Sequence, residues 1–414
     1  MLYFKHSELA DKYHVSLKTI HNWIDAAKQN KLKLNLHEHG SRVYIANNPS
    51  NITLLENLAS EGKKYRNTRF NKTVNPLPEF YSTYNRRQAL DIISNLTIHR
   101  EIPNQYNYVD NGAYNWDSWV QRLSKEDKPN NLNNTRDLVR ANLESIDKLI
   151  GSHTRVNILD IGVGNAYPVK ELLEHLLERG VLHRYIAIDI SQTMLDIAEK
   201  NINDWFGDRV KFEGHVRDIS YERFDDLLVD DMLDRDSDKT FNMALLLGAT
   251  PVNFRSFSDI LKCIYGSMGE NDVLAYTGKP DSEASRRYFD FHPTSGNAAV
   301  SPINRYTLDL LGIDDSLYDV EMGYDGKQRM RYVRVKLRNS VTIKFKFEDG
   351  EKKVIIEKGE VILVLRVWHM SALEIISEFE KAGFILLESH MTRDRERLLT
   401  ISGIDTKATT SNPV

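Results

Sequence analysis

Two glycines and three aspartates, spaced along successive apolar runs, carry the chemistry open to this chain. The run "VNILDIG" ends in Asp160-Ile-Gly-Val-Gly-Asn165 and leads into the amphipathic segment "YPVKELLEHLLERG". Gly162 and Gly164 let the backbone bend sharply and approach a ligand closely, because no Cβ intervenes. A dinucleotide fingerprint would place a third glycine about three residues on. Tyr167 stands there instead, which argues against a pyrophosphate seat. Asp160 is a poor neighbour for phosphates and a good acceptor near a cation or an ammonium group. Asp189, in "YIAIDIS", follows 29 residues later at the end of a second apolar run. A carboxylate there can accept both ribose hydroxyls of an adenosine. Asp218, in "HVRDIS", ends a third run, where the exocyclic amine of an adenine would lie.

The elements that must position these groups alternate. From residue 156 onward, "VNILDIG", "RYIAIDIS", "RVKFEGHV", "KTFNMALLLGAT" and "DVLAYTG" read as strands, with helical patterns between most of them. That alternation predicts an α/β chain with a parallel, doubly wound, Rossmann-like sheet. The expected core covers 151–284. The period then changes to long alternating stretches, with "EDGE" as a turn, over 320–370. An antiparallel, β-rich substrate lid is therefore expected as an insertion over 285–370. Residues 371–404 return to the core sheet, and 405–414 form a tail. Upstream, 77–150 read as a helical cap dense in aromatics, with a polar loop at 124–136, and 49–76 as a helical linker.

Glycine turn, ribose acid and adenine acid, in that order at three strand ends, resemble the class I S-adenosylmethionine-dependent methyltransferases. The resemblance implies S-adenosyl-L-methionine as cofactor and S-adenosyl-L-homocysteine as product. It places Asp160, Gly162, Gly164 and Asn165 near the methionine part. It gives Asp189 the ribose, packs Ile190 and Met194 beside the adenine, and bounds the base with Asp218 and Ile219. Leu247 and Gly248 complete the cofactor set. Five further stretches resemble the ergothioneine-pathway histidine Nα-methyltransferases: "LLLGATPVNF" (245–254), "LPEFYSTYNRRQAL", "INRYTLDLL", "KGEVI" and "KAGF". Where that family carries a Glu and a Ser that hold histidine, this chain has Leu365 and Val367. Apolar side chains cannot hold an imidazole by hydrogen bonds, so free histidine is not the expected acceptor.

Methyl transfer from a sulfonium needs an aligned nucleophile and little acid–base help. Asn253 matches the family's substrate-contacting Asn and is expected to orient the acceptor, with Tyr84 as its catalytic companion. Tyr81, Phe254, Phe291 (or His292 beside it) and Tyr306 are the expected substrate wall. No metal is expected. The Asn/Asp-Pro-Pro-Tyr/Phe pattern of base-amine methylation is absent from Thr250-Pro-Val-Asn-Phe254.

Residues 1–48 form a separate pattern. Two short amphipathic helices, the second capped by Ser16, precede a hairpin centred on His39-Gly40. They resemble a MerR-like winged helix-turn-helix, which implies DNA as a partner and commonly a homodimer. Its outward residues would be Lys18, Thr19, His21 and Asn22. Residues 1–75 hold 12 Lys/Arg against 6 Asp/Glu, a balance of +6. Since the whole chain carries −4, the remainder carries −10.

With 414 residues, 41% hydrophobic and 28% charged, the chain is of ordinary globular composition. It has no apolar run of about 18 residues, so no membrane span is expected. Nor is "MLYFKHSELA" a signal peptide, lacking a long apolar stretch. A single cysteine, Cys263, excludes an internal disulfide and suits the cytoplasm. The expected activity is N-methylation of a small-molecule or peptide amine. Two alternatives are a regulator that senses S-adenosylmethionine without turnover and a nucleic-acid methyltransferase of unusual motif.

Overall fold

In the computed structural model the residues described are 3–13, 15–40, 42–125, 130–229, 233, 239–248, 250–282 and 299–404. The chain divides into two compact units, Met1–Thr73 with Asn339–Thr342, and Val74–Arg338 with Ile343–Val414.

In the first unit, β1 (Tyr3–Phe4) precedes helices α1 (His6–Lys12) and α2 (Leu17–Lys28). The strands β2 (Leu36–His39) and β3 (Arg42–Ala46) follow, then helix α3 (Pro49–Phe70). Ser16 caps α2 as its sequence predicts, its Oγ accepting from the Thr19 N–H at 3.1 Å. Ile20 and Ile24 turn inward onto Leu9, Ile45 and Leu55. Strand β3 pairs antiparallel with both β1 and β2, and Gly40 makes the turn at φ +61°. The expected boundary at residue 48 is too early. Leu55 is fully buried in this core. The buried Asn51 amide also ties α3 to the hairpin, donating to Asn35 O and Ala46 O at 2.8 Å.

Strand β4 (Lys72–Val74) spans the boundary, its first two residues in the first unit; the second unit then holds α4 (Pro78–Thr83) and α5 (Arg86–Ile98). A 3-10 turn (Asn104–Tyr108) leads to α6 (Asn111–Ser124), α7 (Asn131–Ala141) and α8 (Leu143–Ile150). The expected polar loop at 124–136 is half helix. Asn130 starts α7 by accepting from the Asn133 N–H at 2.9 Å, which offsets the poor helix propensity of the Asn-rich run.

The central sheet holds β5 (Arg155–Ile161), β6 (Leu182–Asp189), β7 (Phe212–Val216), β8 (Thr240–Leu246) and β9 (Val273–Gly278), all parallel. Helices α9 (Lys170–Glu178), α10 (Gln192–Phe206) and α11 (Phe257–Gly266) connect them. Helix α12 (Pro302–Leu310) and strands β10 (Tyr318–Asp325), β11 (Met330–Leu337), β12 (Val341–Phe347), β13 (Gly350–Ile356) and β14 (Val361–Trp368) follow. The chain closes with α13 (Ala372–Lys381), β15 (Phe384–Met391) and β16 (Leu398–Ile404). Strands β16 and β15 add antiparallel edges, giving the order β15-β16-β9-β8-β5-β6-β7.

Both faces of this sheet are covered. On β5, Val156 and Ile158 pack under α9 and α10, while Leu159 and Ile161 pack under α11 and α13. A strand buried on both sides reads as a continuous apolar run, and "VNILDIG" reads that way. Because β6 and β8 flank β5 on opposite sides, the chain reverses direction across the sheet at β5. The crevice beyond its carboxyl end is where ligands bind in such sheets. The late strands form a separate antiparallel ladder, β10-β11-β14, with β12 paired to β13 across the "EDGE" turn. A buried ion pair, Arg366 to Glu101 at 2.6 Å, ties β14 to the cap.

Candidate active site and cofactor cavity

A cavity of about 350 Å³ opens at the carboxyl ends of β5, β6, β8 and β9. One side is built from the residues on which the sequence argument rests. Gly162 (φ +69°) and Gly164 (φ +56°) both adopt left-handed backbone. A Cβ on Gly164 would lie 2.6 Å from Trp116 Cη2, and one on Gly162 would lie 3.1 Å from Thr250 Oγ1. The turn is thus glycine-bound both by conformation and by crowding.

Asp189 lines the cavity beside this turn. Its Oδ1 accepts from the Ser191 N–H at 3.1 Å, and Gly164 N–H approaches Oδ2 at 3.4 Å. Burial pushes its carboxyl up to about 6, against the pull of those backbone donors. Asp218 also lines the cavity. Its Oδ1 takes the Ser220 N–H and hydroxyl, at 3.0 and 2.5 Å. Its Oδ2 is buried with no hydrogen-bond partner. Such an oxygen is costly unless a ligand donor completes it. Burial also raises the Asp218 carboxyl above its usual range. Ile190, Met194 and Ile219 give this side its apolar surface. Leu247 and Gly248 continue it, with the Gly248 N–H fixed by Thr277 Oγ1 at 2.9 Å.

Two expected cofactor residues stand behind the wall instead. Asp160 is fully enclosed, and its Oδ2 accepts from Tyr185 Oη at 2.9 Å. With water excluded, its carboxyl is pushed up to about 7. Asn165 donates from Nδ2 to Asp117 Oδ1 at 3.0 Å, so it locks the glycine turn onto α6. Both shape the turn from outside the cavity.

Asn253 and Phe254 reach the cavity from the turn after β8. Phe254 O accepts from Trp368 Nε1 at 2.9 Å, which fixes that turn against the end of β14. The three expected tyrosines do not join them. Tyr84 is 2% exposed, and its hydroxyl donates to Tyr106 O at 2.9 Å beside Thr307 Oγ1 at 3.0 Å. It staples the cap, and its catalytic assignment is corrected to a packing role. Tyr81 accepts from the Lys346 N–H at 2.9 Å, and Tyr306 packs on Gly112, both away from the cavity. Phe291 and His292 lie outside the described residues.

Several wall residues escaped sequence reasoning. Tyr108 and Trp119 come from the aromatic-dense segment, whose density was the one available signal. Tyr276, Lys279, Trp368, His369 and Arg397 come from β9, from β14 and its exit, and from the approach to β16, while Val367, singled out in the sequence, also lines the wall. Burial lowers the His369 imidazole to about 4, so it is neutral at physiological pH.

Residues 88–277 match the family model described as "Histidine-specific methyltransferase, SAM-dependent". That span contains the glycine turn, Asp189, Asp218 and Asn253. The chain is an S-adenosylmethionine-dependent methyltransferase. No curated protein matches it. Among solved structures, the methyltransferase is similar to an S-adenosylmethionine-dependent methyltransferase from Clostridium acetobutylicum. That match has 13% identity, covers 70% of this chain and 98% of that one, and has a TM-score of 0.38. A second is the magnesium protoporphyrin IX methyltransferase from Synechocystis, at 9% identity, 72% and 97% coverage and TM-score 0.39. Likenesses this distant say nothing of the acceptor. The cofactor fits the cavity's own chemistry. Asp189 offers an acceptor for the ribose, Asp218 Oδ2 an unfilled acceptor for the adenine amine, and the two glycines a surface without side chains. Among the described residues no helix is long and apolar enough to cross a membrane.

Proposed function

We propose that this methyltransferase N-methylates an amine of a small molecule or peptide other than free histidine. The observation that carries the reading is Asn253 in the wall of the same cavity as Asp189 and Asp218. Bound S-adenosylmethionine supplies a methyl group already activated as a sulfonium. The chain's residues have three tasks. Asn253 accepts a hydrogen bond from the neutral amine and aims its lone pair along the displacement axis. Phe254, Val367 and Trp368 exclude water from that path. Asp189 and Asp218 anchor the adenosyl part so that the reacting carbon holds still. Val367 stands where the histidine-binding relatives have a hydroxyl, and it offers an imidazole nothing to bind.

The test is incubation with labelled S-adenosylmethionine and a metabolite extract. The expected product is a labelled small molecule or peptide, lost on Asn253→Ala. Label carried only by nucleic acid, or tight cofactor binding with no labelled product, would replace this reading with one of its alternatives.

A second part concerns α2. Lys18, His21 and Asn22 are exposed on the face opposite Ile20 and Ile24, and Thr19 is half-buried beside the cap. Exposed donors on a helix of a cationic unit support DNA as its partner. A salt-dependent gel shift, weakened by Lys18→Ala with Asn22→Ala, is the expected result. No shift at low salt would remove this part and leave the enzymatic reading standing.

A further inference from the structure

The half of the cavity away from Asp189 and Asp218 has a different character. Its floor is the end of β9, where Tyr276 and Gly278 line the wall, and Leu398 of β16 pairs with Gly278. Lys279 and Arg397 extend from these two strands into the same wall. In the sheet order, β9 and β16 lie on the far side of β8 from the adenosyl-binding strands β6 and β7. Among the described residues, the only carboxylates lining the cavity are Asp189 and Asp218, both on the adenosyl side. Glu396, which pairs with Lys279 at 2.9 Å, is not among the lining residues.

Tyr276 is the decisive group. It is fully enclosed, its ring held edge-on by Phe257. Its hydroxyl is nevertheless buried with no hydrogen-bond partner. The hydroxyl lies over Gly278, where a Cβ would be 2.2 Å away, so only glycine leaves room for it. A buried phenol without a partner is unfavourable, and a ligand acceptor would complete it.

We infer that the acceptor carries an anionic group, carboxylate or phosphate, received by the Tyr276 hydroxyl between Lys279 and Arg397. This rests on the N-methyltransferase reading above and gives its acceptor a charge. Desolvation holds the phenol protonated, so its O–H is there to donate. Tyr276 is a positioning residue here: it fixes the far end of the acceptor while Asn253 orients the amine.

The experiment uses a panel of primary amines bearing a carboxylate or a phosphate. Each is paired with its neutral amide or dephosphorylated counterpart, and methylation by labelled S-adenosylmethionine is measured. Calorimetry with S-adenosylhomocysteine runs beside it. Anionic members should be methylated, with neutral partners at least roughly a hundredfold lower in kcat/KM. The arm that reacts identifies carboxylate or phosphate. Tyr276→Phe keeps the ring packing. It should raise KM for the anionic substrate roughly tenfold, the size of one hydrogen bond to a charged group, with kcat and cofactor affinity unchanged. A merely structural Tyr276 would not produce that split. Equal turnover of neutral partners, an unmoved KM, or cofactor binding with no anionic member methylated would each overturn the inference. The last result leaves cofactor binding intact, whereas absence of heat with S-adenosylhomocysteine would overturn the underlying reading as well.

Discussion

Asp189→Asn isolates the central claim, because it keeps the shape of the side chain and removes only its charge. Asp189 is 9% exposed and lines the cavity beside Gly164. Its Oδ1 is engaged by Ser191, a bond the amide oxygen can also accept. What changes is the face offered to the ribose. A hydrogen bond to a charged group contributes about 1.5–3 kcal/mol, against about 0.5–1.5 kcal/mol between neutral groups. Two hydroxyls therefore lose about 2–3 kcal/mol, or roughly 30- to 150-fold in Kd. Calorimetric titration with S-adenosylhomocysteine at pH 7.5 measures this directly.

The pH dependence gives a second, independent reading of the same bond. Burial holds the Asp189 carboxyl up at about 6 in the free protein. At pH 5 only about one protein in ten then carries the ionised form that receives the ribose. Affinity should weaken about tenfold between pH 7.5 and pH 5, with cofactor binding releasing a proton across that window. Asp189→Asn should flatten the profile. Asp160, at about 7 behind the glycine turn, and Asp218, raised by burial in the cavity wall, account for any residual slope in the variant. A variant within threefold of the parent at pH 7.5, or one that retains the full pH dependence, would refute the ribose assignment.

Three further outcomes are expected. Gly164→Ala should weaken cofactor binding more than tenfold. The left-handed backbone costs roughly 1–2 kcal/mol with a Cβ, and that atom would meet Trp116 at 2.6 Å; calorimetry reads the affinity and a thermal melt the stability. Asp218→Asn should weaken S-adenosylhomocysteine at least about tenfold while improving relative affinity for its 6-oxo analogue, because an amide donor replaces the open Oδ2 acceptor. Equal losses for both nucleosides would move the adenine elsewhere. In the cofactor-free protein, Asp160 and Asp189 both have native carboxyls above their unfolded value. Their stabilisation is fully present below about pH 3.8 and is lost as pH rises through about 6 and 7. Melting temperature should therefore fall between pH 5 and 7.5, and Asp160→Asn should reduce that fall.

Much of the sheet was legible because its signals are local. Five apolar runs ending in Gly or Asp specify parallel strands and the groups at their carboxyl ends without reference to distant residues. Ser16 as a cap and "EDGE" as a turn are equally local. Where the reading departed, a long-range contact had intervened. Asn51 and Leu55 draw α3 into the first unit, a contact no composition shift at residue 48 reveals. Tyr81, Tyr84 and Tyr306 have the residue type of a pocket wall, but their surroundings engage them elsewhere. Tyr84 in particular spends its hydroxyl between Tyr106 O and Thr307, which are distant in sequence. A phenol's role follows from its partner, and its partner is a tertiary fact.

The same contrast explains why the cofactor was readable and the acceptor was not. The adenosyl side needs a backbone that bends and carboxylates at fixed strand ends, both written within about sixty residues of continuous sequence. The acceptor side is assembled by the antiparallel pairing of β9 with β16, which brings Arg397 beside Tyr276 and Lys279 from over a hundred residues away. If Leu365 and Val367 stand where the histidine Nα-methyltransferases carry their hydrogen-bonding pair, as the sequence resemblance implies, one means of holding an acceptor is removed. That loss does not say what replaces it. On the anionic-acceptor reading proposed above, the replacement lies on different strands, in the phenol and cations along β9 and β16 that line the cavity.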